Sequence, residues 1–363
     1  MSEPVKLQTV ADAANVSVST ASRALRGHPG ISQESTARIR EVAKSLNYRP
    51  LRKRKGPLHS VISPKLINKR LAVVTLGMDR SLVSLPAVSD AISGAEEAVS
   101  SEGAHLQLLN VPDLNQVSST HRELGLDGVL LVGAMQGRHI AESCSPFIQA
   151  ITKLPRVWLL GRPNGCTGDA VGADDVLLGS RAADYLADHG HRDVAFVGPK
   201  PDHVLMMRRE DGFCTQGVRR GLQIQRFVEA PAEGWTIPLK PPLTTESVQA
   251  LIDRMLESKP RPTALFAASD SVAAMCYRAL AVRGIQVGKS ISMISGNYDQ
   301  SIIQCLYPHL TTFDIHARQL GRLAVQQLEQ RISTPGKFPE LDVTVAPTLM
   351  EGESVARLAK PTR

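Results

Sequence analysis

The chain is 363 residues long, with 42% hydrophobic and 21% charged residues and a formal net charge of +7. That length exceeds one ordinary core, so two or three domains of soluble globular composition are expected. No apolar run could cross a bilayer and "MSEPVKLQTV" has no signal-peptide core, which excludes a helical membrane span and points to the cytoplasm.

The five cysteines, Cys144, Cys166, Cys214, Cys276 and Cys305, are odd in number and form no CxxC pair. That is the pattern of reduced thiols rather than of a disulfide framework. Charge is uneven. Residues 1–70 hold 14 Lys/Arg against 4 Asp/Glu, a net +10, and the other 293 hold 28 against 31, a net −3. A basic head on a slightly acidic body points to a polyanion partner for the head. A basic disordered tail would have the same charge, but it would lack the apolar periodicity and caps that follow.

Leu7, Val10, Ala11 and Ala14 fall at i, i+3, i+4 and i+7, one face of a short helix. Asn15 tolerates the left-handed conformation of a sharp turn. Val16 is a lone apolar plug, and Ser17 is a good N-cap. A second helix then runs through Arg26 to Gly27, with Ala21, Ala24 and Leu25 inward and Ser19, Ser22, Arg23 and Arg26 outward. After "HPG", Ser32 caps a third helix striped by Ile39, Val42, Ala43 and Leu46. Three helices in this order make a helix-turn-helix, whose second helix enters a major groove. Arg23 can fork onto a guanine edge, and Val18 can touch a thymine methyl. Lys6, Arg26 and the amides at Ser17 can hold phosphates. A three-helix bundle with a solvated polar face is the alternative reading.

The run "VADAANVSVSTASRALRG…ISQESTARIREVAKSLNYRP" resembles the head of the lactose-repressor (LacI/GalR) family of bacterial transcription regulators. The resemblance makes Leu7 to Arg26 the DNA-binding motif and Ser17 to Arg26 its recognition helix. Its base readers fall on Val18, Ser19 and Arg23, supported by Lys6, Ser17, Thr20, Ser22 and Arg26. Asn15 stands where glycine is usual, Ala21 where valine is usual, and Lys6 where a threonine usually caps the first helix.

Downstream, strand-like runs "LAVVTLG", "HLQLLNV", "DGVLLVGA", "RVWLLG", "DVAFVGP", "TALFAAS" and "SISMISG" alternate with helical segments, the pattern of parallel α/β sheets. No GxGxxG follows a strand and no GxxxxGK[ST] occurs. The order resembles the periplasmic-binding-protein-like fold, two lobes around a cleft. The expected organisation is a helix-turn-helix head at 5–50, a basic linker at 51–69 and an effector-binding and dimerisation body at 70–355. The resemblance assigns 70–171 and 300–330 to the N-lobe, and 172–299 and 331–355 to the C-lobe.

In this family the cleft binds a small effector, often a sugar or nucleobase and here expected to be sugar-like, and the resemblance carries its positions over one by one. Arg209 is the ligand-clamping arginine, or else a surface helix arginine. Asp174 is an acceptor or a helix cap. Ser269 and Asp270 stand at a strand end, where α/β folds bind ligands, though Asp270 could also cap a helix. Trp235 is near the family's stacking aromatic, in a loop of different length. The usual ligand-gripping acid is replaced by Asn297, unless a slip lets Asp299 supply it. Ser84 and Leu85 are weaker first-lobe candidates.

The linker also departs from the family. A short hinge helix normally inserts a leucine into the minor groove. Here Gly56, Pro57 and Pro64 interrupt that place, and proline disfavours a helix. Arg52, Lys53, Arg54 and Lys55 could instead follow phosphates, or form a solvated basic linker. His189-Gly190-His191 looks like a metal pair but reads better as a helix end. With no HExxH, GxSxG or spaced acid pair, neither catalytic residues, metal nor cofactor are expected. Two classes remain: a dimeric regulator reading a pseudo-palindromic DNA operator under effector control, or a soluble binder or enzyme with a vestigial head. An intact recognition helix bearing Arg23 favours the first. The tail "ARLAKPTR" is too short for a heptad tetramer segment, so a homodimer is expected.

Overall fold

A computed structural model describes residues 7–25, 31–46, 48, 66–115, 125–138, 140–200, 202–229, 238, 245–336 and 339–358. The chain divides into two compact units, Met1–Ser63 and Pro64–Arg363.

In the first unit, α1 (Leu7–Ala13), α2 (Val18–Leu25) and α3 (Gln33–Ser45) enclose a core of Val10, Ala11, Ala14, Ala21, Ala24, Ile39 and Ala43. Small side chains let the helices approach closely. Asn15 makes the turn at φ 53°, and Val16 N–H donates to the Ala11 carbonyl at 3.0 Å. The Ser17 hydroxyl caps α2 by accepting from Thr20 N–H at 3.1 Å, and Ser32 caps α3 through Ser35 N–H at 3.3 Å.

The second unit holds two six-stranded sheets. The first sheet comprises β1 (Arg70–Leu76), β2 (His105–Val111), β3 (Gly128–Gly133), β4 (Arg156–Leu159), β5 (Asp169–Ala173) and β11 (Asp342–Val345), in the order β11-β5-β4-β3-β1-β2. The second comprises β6 (Asp193–Gly198), β7 (Gln223–Val228), β8 (Ala264–Ala267), β9 (Ser292–Asn297), β10 (Thr311–Asp314) and β12 (Thr348–Met350), in the order β12-β10-β9-β8-β6-β7. All pairings are parallel except β10 with β12. Central strands such as β3 and β8 are buried along their whole length, which explains their continuous apolar runs.

Helices α5 (Pro86–Ser101) and α12 (Ala317–Ser333) pack together in the first lobe, and α7 (Asp175–Asp188) and α8 (Val204–Arg219) in the second. Each pair depends on reciprocal glycines. A Cβ on Gly179 would lie 1.9 Å from the Arg209 carbonyl, and one on Gly212 would lie 2.0 Å from the Val176 carbonyl. Gly94 and Gly321 play the same part between α5 and α12, at 1.9 and 2.0 Å. No side chain larger than hydrogen fits these crossings.

The expected lobe division needs correction. β10, in the 300–330 stretch assigned to the N-lobe, pairs with β9 in the second sheet. β11, in the 331–355 stretch assigned to the C-lobe, pairs with β5 in the first. The chain therefore crosses between lobes after β5, after β10 and after β11. Both misplaced strands have four residues, too few for their apolar pattern to reveal which sheet they join.

His189-Gly190-His191 ends α7. His189 is its C-cap, and Gly190 takes φ 89°. Burial pushes the His191 imidazole below its ordinary pKa; its nitrogens face Thr263 Oγ1 at 2.9 Å and the Ala356 carbonyl at 3.2 Å, tying the lobe to the segment that follows β12.

Candidate functional site

The outward side of α2 has the character its sequence implies. Ser17, Val18, Ser19 and Arg23 are exposed, and Thr20 and Ser22 are half-buried. Lys6, Arg26 and the linker's Arg52 to Lys55, Gly56, Pro57 and Pro64 lie outside the described residues, as does Trp235.

Between the two sheets lies a cavity of about 330 Å³, within the usual range for small-ligand sites. Arg209, on α8 beside the glycine crossing with α7, lines it. Arg209 and Asp175 are 5% and 3% exposed. Arg209 Nε donates to Asp175 at 2.7 Å, one terminal nitrogen to the Ala268 carbonyl at 2.7 Å, and the other to Asn297 Oδ1 at 3.0 Å. One guanidinium thus joins the start of α7 to the ends of β8 and β9. Burial pushes the Asp175 carboxyl upward, against the pull of Arg209.

Asn297 then donates from Nδ2 to Asp299 at 3.2 Å. A carboxamide can accept from arginine and donate to a carboxylate; an ionised carboxylate could only accept. The departure at position 297 therefore has a physical role, and both alternatives for the missing acid meet in one network. The backbone turns there through φ 133° at Asn297 and 61° at Tyr298, a region non-glycine residues seldom adopt. Burial, with Asp270 beside it, pushes the Asp299 carboxyl up to about 7.

The other sequence candidates are placed differently. Asp174 is the N-cap of α7, accepting from Leu177 N–H at 2.9 Å; of these two neighbouring acids it is Asp175 that lines the cavity. Ser269 lines the cavity and also caps α10 (Asp270–Val282), accepting from Val272 N–H at 3.4 Å. Asp270 does not line the cavity. It is fully buried, accepting from Ser295, from Thr312 at 2.7 Å and from Asp299 N–H at 2.7 Å. It fastens β9 and β10 beneath the site. Leu85 lines the cavity and Ser84 does not. The sequence reading missed Asp175, Lys200 and His203, which also line it. Among the described residues, no cluster of metal-ligating side chains occurs.

A helix-turn-helix head and a two-lobed α/β body enclosing a polar-centred cleft define a class, that of DNA-binding regulators with a ligand-binding body. Residues 6–50 match the family described as bacterial regulatory proteins, lacI family, and residues 183–355 match the periplasmic binding protein-like domain. The ribose operon repressor of Escherichia coli (strain K12) is 26% identical over 349 residues, covering 95% of this chain and 98% of the relative. Among solved structures, the transcriptional regulator CelR in complex with cellobiose matches with a TM-score of 0.63 and 20% identity, covering 96% of this chain and 99% of that one. The lac repressor dimer bound to operator matches at 0.62 and 18%, covering 98% and 100%. The two structures share its fold. The chain carries a lacI-family DNA-binding domain followed by a periplasmic binding protein-like domain, the two parts of a DNA-binding transcriptional regulator with an effector-binding body. By its name, the Escherichia coli relative is an operon repressor.

Proposed function

We propose that the chain is a cytoplasmic repressor. As a homodimer it holds a pseudo-palindromic operator with two copies of α2, and releases or tightens that hold when a small sugar-like effector occupies the cleft. Arg23 reads a base edge; Val18 and Ser19 assist it, while Ser17, Thr20 and Ser22, with Lys6 and Arg26, position the helix on phosphates. Arg209, Asn297, Asp299 and Ser269 make the polar wall of the effector site. Among the described residues no helix is long and apolar enough to cross a membrane, which accords with this location.

The observation that carries the proposal is the Arg209 network. It joins α7, α8, β8 and β9 at one point facing the other lobe, where a ligand that alters any partner alters how the lobes meet. The ribose repressor among the relatives and cellobiose in a similar structure support a sugar-like effector. The test is selection of random duplex DNA by the full chain at fixed salt, beside Arg23→Ala. Enrichment of a palindrome by the native protein only is expected. Equal, unselective binding by both would refute sequence-specific regulation.

A further inference from the structure

Among the described residues, two basic side chains in the cleft have no side-chain partner. Lys200 follows β6, and His203 immediately precedes α8; both line the main cavity. The Lys200 ammonium makes neither ion pair nor hydrogen bond with any described residue, its backbone carbonyl alone accepting from His203 N–H at 3.2 Å; Glu229 bears on the ammonium only from beyond ion-pair distance. The Nδ1 of His203 is buried without a hydrogen bond. Both residues also line an adjoining cavity of about 110 Å³, which none of the cleft's acids lines. Its other walls include the apolar Leu82, Leu85, Val88, Leu160 and Leu205. Unpaired donors in such surroundings are costly until an acceptor arrives.

Apart from Glu229, the charges that bear on this corner are positive. Burial holds the His203 imidazole neutral, down to about 3, and Lys200 and Arg209 both push the same way. The 16-residue helix α8 begins there and adds the positive end of its dipole. The cleft's acids are committed elsewhere, Asp175 to Arg209 and Asp299 to Asn297.

We propose that Lys200 and His203 form a subsite for an anionic group, so that the effector is a small acid, a carboxylate or phosphate ester, rather than a neutral sugar. This rests on the reading of the cleft as the effector site. The anionic group sits between Lys200 Nζ and the His203 ring. The less polar frame runs along Leu85, Val88 and Leu160, and its hydroxyls reach Ser269, Asn297 and Asp299.

The probes are inorganic phosphate, propionate, glucuronate and glucose 6-phosphate, each against chloride at equal ionic strength, with neutral glucose and ribose alongside. The readout is the Tm of the full chain, native, Lys200→Met and His203→Phe. At least one anion is expected to stabilise the native chain, and Lys200→Met is expected to weaken that binding roughly tenfold or more. Unliganded Lys200→Met is expected to melt no lower than the native chain, because it loses an unpaired cation; His203→Phe tests the same corner independently. The basic head is identical in all three, so its own phosphate binding cancels. Anion effects that are absent, or equal in all three proteins, overturn the proposal. If glucose or ribose still stabilises all three, the effector cleft stands and only the anionic subsite falls.

Discussion

Replacing Arg209 with Met leaves Asp175 a buried carboxylate without a counter-charge. The expected loss is about 3–5 kcal/mol of unfolding free energy, measured by urea titration, because uncompensated buried charge costs more than the pair contributes. Arg209→Met with Asp175→Leu should recover much of that loss. A loss below about 1 kcal/mol for the single variant would mean that water reaches Asp175. Asp299 supplies a pH signature. Its folded pKa of about 7 lies above its ordinary 3.8, so the folded state binds this proton more tightly. Its contribution to stability therefore falls as pH rises through that window and levels off above it. His191 and His203, buried and neutral, slope the opposite way below their ordinary 6.5. That opposing slope is common to the native chain and Asp299→Asn, so their difference isolates Asp299. Asp299→Asn is expected to gain stability over the native chain between pH 5 and pH 8, by roughly 1 kcal/mol or more. A pH-independent difference would place Asp299 in water.

At the scale of elements, the α7–α8 crossing is the feature on which the cleft depends, since α7 carries Asp175 and α8 carries Arg209. Gly212→Ala places a methyl against the Val176 carbonyl. It is expected to cost about 1–3 kcal/mol by thermal unfolding and to weaken effector binding as the ion pair loosens. A native-like Tm would show that the helices can separate freely. Much of this architecture was legible in the sequence. The long apolar runs named β1, β3, β6, β8 and β9 correctly, because strands buried on both faces need no polar alternation. β5 was missed because its first residue is an acid. Asp169 is buried, holding Arg331 at 2.6 Å and Leu341 N–H at 3.0 Å, an arrangement set by residues more than 150 positions away. β7 and β10 carry polar positions that masked them. The cleft was half legible. Arg209, Ser269 and Asn297 followed from family resemblance. In "ADDV", however, one residue of helix register decides which acid caps and which enters the cavity. Lys200 and His203 sit in "GPKPDHV", which reads as a plain loop.

For the whole molecule, the +10 of residues 1–70 against the −3 of the remainder puts the electrostatic attraction for DNA in the head and linker. Operator affinity should therefore fall steeply with salt. Replacing Arg52, Lys53, Arg54 and Lys55 with Gln is expected to flatten the log–log slope by roughly 0.9 for each phosphate that the run no longer neutralises. An unchanged slope would mean that the run stays in solvent. The central claim is that the cleft and the head share one free energy. It is tested most directly by the operator Kd of the full chain, at fixed salt, with and without a compound that raises its Tm. A shift of roughly 5- to 150-fold, matched by the same factor in the compound's own Kd when operator is added, is the predicted result. A compound that saturates the cleft and leaves operator affinity unchanged would contradict it.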